Sequence, residues 1–167
     1  MALIAGLLQE LEQEAASTRR MLERVPDNQL GWRPHEKSRT LGQLAYHIAV
    51  VPGSVAEFVA SPSPVQAPQF GPDPSPASSS ELMPMLDESI AKAKKALGGM
   101  DDATLMATWR MMVGDREIMA VPRVVMLRSI MLNHWYHHRG QLTVYLRQLD
   151  VPLPSIYGPS ADENPFA

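Results

Sequence analysis

The stretch LRSIMLNHWYHHRGQLTVYLRQL, residues 127–149, decides how the rest of the chain is read. Leu127, Met131, His134, His138, Leu142, Tyr145 and Leu149 recur three and four apart, the spacing of one face of an α-helix. Pro122 stands where a helix start tolerates proline and Asp150-Val151-Pro152 stops the run, so a helix is predicted from about 122 to 149. Its apolar stripe carries two imidazoles. His134 and His138 are one turn apart along the axis and about 40° apart in azimuth, a placement from which two side chains reach one cation. Left without a partner in a core, each imidazole costs on the order of a few kcal/mol, and metal ligation removes that cost.

Three further segments show helical periodicity. Leu3, Leu7, Leu11, Ala15, Thr18, Leu22 and Val25 form one stripe, closed by Pro26. A second helix opens at Thr40, where Thr40 and Gln43 spell a capping box, and its stripe runs through Leu44, His47 or Ile48, Val51, Val55 and Phe58. Pro52 lies inside that stripe without an N–H to give the carbonyl of Ile48, so a kink or an early break is predicted there. Residues 61–80 hold six prolines among serines and read as a long extended connection, more a mobile connector than a lid. A third helix starts within 80–84, at a Ser80 cap or a Pro84 first turn. It buries Leu82, Leu86, Ile90, Ala93 and Leu97 and ends at Gly98-Gly99. Residues 100–121, with Trp109 and the turn-like Gly114-Asp115, read as an irregular connector, and the tail after Leu149 as irregular and proline-rich, with Asp162 and Glu163 in solvent.

No segment of comparable length alternates with period two, so the predicted class is all-α. Four helices with a long helix 2 to helix 3 connection fit a four-helix bundle formed by one domain over residues 1–167. Sites in such bundles are built from inward side chains. His47, three residues after Leu44 and four before Val51, supplies a third inward imidazole from the second helix, although 87 residues separate it from His134. Each histidine alone reads as a core imidazole satisfied by a carbonyl or a tyrosine hydroxyl; three on inward stripes favour ligation. Three neutral imidazoles leave a coordination position open, as catalytic sites do. His137 competes with His138 but falls toward the stripe's edge, in a supporting or solvent-facing place. His35, in the loop before the Thr40 cap, has no helical partner, and a loop role suits it better than ligation. Arg139 and Gln141 flank the histidines and either touch a substrate anion or sit on the surface.

Composition narrows the function. The 15 basic and 18 acidic side chains give a net charge of −3, without the basic stripe of a nucleic-acid binder. Lys92, Lys94 and Lys95 spread over a solvated face. The N-terminus has no cationic region ahead of an apolar one, and no apolar run approaches the ~20 residues of a membrane span, so a soluble, cytoplasmic protein is predicted. The chain has no cysteine. Disulfides, Cys-ligated metals and a protein thiol nucleophile are excluded, and any sulfur chemistry must come from outside. Eleven methionines read as fillers of irregular core gaps.

Trp32-Arg33-Pro34, then Leu41-Gly42-Gln43-Leu44-Ala45-Tyr46-His47-Ile48-Ala49, then His134-Trp135-Tyr136-His137-His138-Arg139-Gly140-Gln141-Leu142 together resemble the DinB/YfiT-like family of metal-dependent proteins, over essentially the whole chain. The tail Tyr157-Gly158-Pro159-Ser160-Ala161-Asp162-Glu163 is similar to tails in that family. The resemblance implies a four-helix bundle, often a homodimer, with a divalent metal, usually nickel or zinc, held by His47, His134 and His138. Similar proteins include thiol S-transferases that use bacillithiol or mycothiol and an isomerase relative that uses mycothiol; many others are described as hydrolases. The family name evokes DNA damage but is no evidence of DNA binding, and the charge of this chain argues against it.

A three-histidine set leaves the metal's charge uncompensated, which favours an anionic fourth ligand. A thiolate suits that position. The leading expectation is therefore a metal-dependent thiol S-transferase acting on small electrophiles, with a low-molecular-weight thiol as co-substrate. The alternatives are a metal-dependent hydrolase with a base such as His137 or a carboxylate, Glu57 being available only if the second helix passes Pro52, and a non-catalytic module binding metal or small ligands.

Overall fold

The computed structural model describes residues 3–69 and 71–166. The predicted stripes become four long helical segments. Helix α1 spans Leu3–Leu22, α2 Leu41–Ala60 and α3 Leu82–Gly98; a short α4, Asp102–Met106, follows. The fourth long segment is continuous from Arg123 to Gln148 but not uniform: α5 (Arg123–Met126) passes through a π-helical stretch, Leu127–Asn133, into α6 (His134–Gln148). Such π segments inside α-helices recur at functional sites. Here it ends at the first histidine of the pair.

The core is where the periodicities intersect. Leu7, Leu11, Leu22, Leu44, Ile48, Leu82, Leu86, Leu97, Leu127, Met131, Trp135, Leu142 and Leu146 are buried in one apolar cluster. Helix α2 packs most extensively against α3, and α2 also meets α6. The α2–α3 approach is close enough to need a glycine: a Cβ on Gly53 would lie 2.7 Å from the carbonyl oxygen of Ser89. Instead Ser89 Oγ accepts the Gly53 N–H at 2.8 Å and donates to the Val50 carbonyl at 3.1 Å. Leu3, at the end of the predicted first stripe, is exposed.

The Thr40 capping box forms as read. Gln43 N donates to Thr40 Oγ1 at 3.2 Å and Thr40 N to Gln43 Oε1 at 2.9 Å. The break predicted at Pro52 does not occur, because α2 runs through it to Ala60. The Ile48 carbonyl that Pro52 deprives of its i+4 donor accepts the indole N–H of Trp135 at 2.8 Å. A side chain 87 residues away repairs the helix.

The all-α expectation is corrected by a small three-stranded sheet, so the fold is mostly helical rather than purely so. The supposed connector at 100–121 contains α4 and a hairpin of β2 (Thr108–Val113) and β3 (Arg116–Pro122), with β1 (Val65–Gln66) added parallel to β2 in the order β1-β2-β3. Gly114, at φ 58°, occupies the first of the two turn residues, a conformation glycine adopts without strain. Alternation was masked for two reasons. Met111 and Met112, adjacent in β2, pair with Met119 and Glu117 and so skip Ile118 in β3, and that extra apolar residue is left in solvent.

Two extended segments are also more firmly placed than their composition suggests. The 61–80 connection contributes β1 and ties Asp73 to α2, as described below. In the tail Asp162 and Glu163 are not simply solvated: Glu163 pairs with Arg20 at 2.6 Å and accepts from Ser155 N, and Asp162 pairs with Arg147 and accepts from Leu153 N at 2.8 Å. Among the described residues no helix is long and apolar enough to cross a membrane.

Candidate metal centre

His47 on α2 and His134 and His138 on α6 meet in one place. Their ligand-capable nitrogens lie within 4.8 Å of one another. His134 Nε2 sits 3.1 Å from both His47 Nε2 and His138 Nε2. The cross-helix register that achieves this is set one residue along each helix, where Trp135 donates to the Ile48 carbonyl. The proline that threatened α2 thus leaves the acceptor that aligns α6 with it.

The outer nitrogens decide what the inner ones can do. Asp73, from the proline-rich connection, places Oδ1 3.1 Å from His47 Nδ1. An ionised carboxylate only accepts, so Nδ1 carries the proton and Nε2 points inward with a free lone pair. His138 Nδ1 is likewise engaged, 2.7 Å from Gln141 Oε1. This arrangement, a ligand imidazole oriented by an acceptor on its far nitrogen, is how proteins prepare histidines for metals. Burial lowers the pKa of all three: His138 is pushed down to about 4 despite its bond to Gln141, and His47 is lowered although Asp73 opposes the shift. At neutral pH the imidazoles are uncharged and competent as ligands. Burial pushes Asp73 up, but hydrogen bonds from Arg39 and His47 outweigh it and hold the carboxyl below its usual range.

The donor set fits a cation. His47 and His138 both turn unprotonated nitrogens inward, so a proton on His134 Nε2 can satisfy one of them and leaves the other lone pair without a donor, whereas a cation satisfies all three. The 3.1 Å separations are close to the roughly 3.3 Å nitrogen–nitrogen edge that a tetrahedral centre with metal–nitrogen distances of about 2.0–2.1 Å requires.

The sequence model of the DinB family matches residues 2–164. The chain belongs to the DinB family. An uncharacterized Bacillus subtilis (strain 168) protein, YrdA, is 26% identical over 159 residues, covering 93% of this chain and 89% of YrdA. A crystal structure of a DinB-like protein from Bacillus cereus superposes with a TM-score of 0.72 at 26% identity, over 93% of this chain and 98% of that one. The DinB-like YjoA of Bacillus subtilis shares the fold, with a TM-score of 0.67 at 18% identity over 90% and 97% of the two chains.

The remaining candidates of this DinB protein fall into place around the cluster. His137 is exposed and outside the three-nitrogen group, touching it only through the His138 ring at 5.1 Å. His35 is exposed in its loop, its Nδ1 accepting from Lys37 N. Gln141 orients His138. Arg139 is neither a substrate contact nor a surface residue: it is 3% exposed, bonded to Glu14 at 2.5 Å, to Thr18 Oγ1 at 3.1 Å and to Tyr157, between the rings of Tyr136 and Tyr157. Glu57 stays on α2 but ten residues, about 15 Å, beyond His47, too far to serve as a base.

Asp73 is the residue that periodicity missed, since it lies on no helix and its only signal was a carboxylate in a long connection. Its removal gives a prediction. Asp73→Ala frees the His47 ring to rotate and to protonate Nε2, so metal affinity should fall by about 10–100-fold, with the fold retained. Competition against a fluorescent chelator measures this; an unchanged affinity would show that Asp73 does not orient the ligand.

Proposed function

We propose that His47, His134 and His138 hold a divalent cation, nickel or zinc, and that the protein is a thiol S-transferase acting on small electrophiles. The observation that supports this reading is the all-imidazole donor set, with the outer nitrogens of His47 and His138 already engaged. When bound, such a metal supplies Lewis acidity and lowers the pKa of a thiol or water at its open position. The protein residues do the rest. Asp73 and Gln141 fix two of the imidazoles, and Trp135 and Ile48 keep the two helices in register. The chain has no cysteine, so the nucleophilic sulfur belongs to a co-substrate. A hydrolase would need a free base at the site. Asp73, the carboxylate bonded to His47, is committed to Arg39 as well.

The test reads the species at the open position. In Co²⁺-loaded protein a physiological thiol should produce an intense near-ultraviolet sulfur-to-metal band that neither water nor imidazole gives. Turnover of haloaromatics or epoxides should depend on both metal and thiol. Thiol-independent turnover of esters or amides would make the protein a hydrolase, and binding of metal without turnover of either substrate class would make it a binding module.

A further inference from the structure

Arg39, the residue before the Thr40 cap, has a role that the histidine cluster does not account for. Its Nε donates to Asp73 Oδ2 at 2.5 Å, while Asp73 Oδ1 lies 3.1 Å from His47 Nδ1, so one carboxylate joins the guanidinium to the metal ligand. The backbone on either side is fixed. Gln43 Nε2 donates to the Asp73 carbonyl at 3.1 Å, and Tyr145 Oη, from α6, donates to the Arg39 carbonyl at 3.3 Å. Trp32 packs edge-on against the Tyr145 ring at 5.6 Å. The guanidinium is held by its Nε edge and has no other side-chain hydrogen bond among the described residues. The side chain is 41% exposed, and neither Nη has a hydrogen-bond partner among the described residues.

Charge bookkeeping shows what would meet it. Asp73 and Arg39 cancel, which leaves a divalent ion on three neutral imidazoles with its full charge uncompensated. A thiolate would remove only half of that excess. A planar guanidinium fixed at one edge presents parallel N–H groups of the spacing that carboxylate oxygens accept.

We propose that Arg39 is a specificity-determining residue that receives a carboxylate of the small molecule entering the metal site, so that the ligands of this protein are carboxylate-bearing rather than neutral. This rests on the metal-site reading above but does not require that the ligand react through sulfur.

Calorimetric titration of metal-loaded protein with mercaptosuccinate and with its uncharged diamide tests it, with the near-ultraviolet band followed on the Co²⁺ form. Mercaptosuccinate should bind at least about tenfold more tightly than the diamide. Compared at equal Co²⁺ occupancy, reached by loading at saturating metal, Arg39→Met should abolish that preference, and Arg39→Lys should restore part of it. The preference should shrink with added salt, since the cation is half in water. Equal affinity of the two probes in the wild type, or a preference that survives in Arg39→Met, overturns the proposal; the latter would mean that the carboxylates chelate the metal alone. An Arg39-dependent preference without a sulfur-to-metal band would leave Arg39 as carboxylate receiver and remove the thiol-transfer reading instead.

Discussion

Arg, Trp and Tyr neighbours notwithstanding, the centre should collapse when His134 alone is replaced. His134→Ala is expected to reduce the bound divalent ion from about one per chain to under about a tenth of that after dialysis, as read by inductively coupled plasma mass spectrometry. His134 Nε2 is the shared vertex, 3.1 Å from each of the other two nitrogens, so its loss leaves His47 and His138 on separate helices with no donor between them. The same variant should lose the metal-dependent rise in melting temperature. A ligand at 100 times its Kd stabilises the wild type by about 2.7 kcal/mol, and a site with negligible affinity gains nothing. His137→Ala is the matched control, because its ring is exposed and outside the cluster, and it should retain the ion. If His137→Ala empties the site and His138→Ala does not, the assignment of the ligands is wrong.

The three-histidine cluster was legible because helical periodicity reports on faces. His134 and His138 share a stripe, and His47 sits among Leu44, Ile48 and Val51, so three inward imidazoles could be named from spacing, and the family resemblance named the same three. What surrounds them was not legible. Asp73 approaches from an extended segment, where spacing says nothing about direction, and its partners Arg39 and His47 lie 34 and 26 residues away. Arg139 was open between substrate and surface because a charged residue beside a histidine pair suggests both. Only the fold shows Glu14, Thr18 and two tyrosines closing around it. The hairpin was missed for a local reason. Two adjacent methionines, Met111 and Met112, blur the period-two signal in β2, and in β3 the extra residue of the register shift is the apolar and exposed Ile118.

Pro52, where α2 continues without a break, carries the second large effect. A proline in a helix interior costs about 3 kcal/mol or more through a lost hydrogen bond and a clash with the i−4 carbonyl. Helix α2 nonetheless continues, because Trp135 supplies the missing donor to Ile48 at 2.8 Å in a fully buried setting. Trp135→Phe keeps an aromatic ring but orphans that carbonyl. Leaving a buried acceptor unsatisfied costs about 1–3 kcal/mol, and the smaller ring adds to this, so a loss of roughly 2–4 kcal/mol in unfolding free energy is expected from denaturant titration. Because the same bond aligns His134 with His47, metal affinity should fall as well. The decisive measurement is the double variant. Pro52→Ala restores an N–H four residues after Ile48, which returns the carbonyl its donor when Trp135 is absent. Pro52→Ala/Trp135→Phe should therefore be more stable than the sum of the single effects by at least about 1 kcal/mol, the size of one recovered buried hydrogen bond. Simple additivity would show that the indole acts through its volume alone, and that α2 passes Pro52 without help from α6.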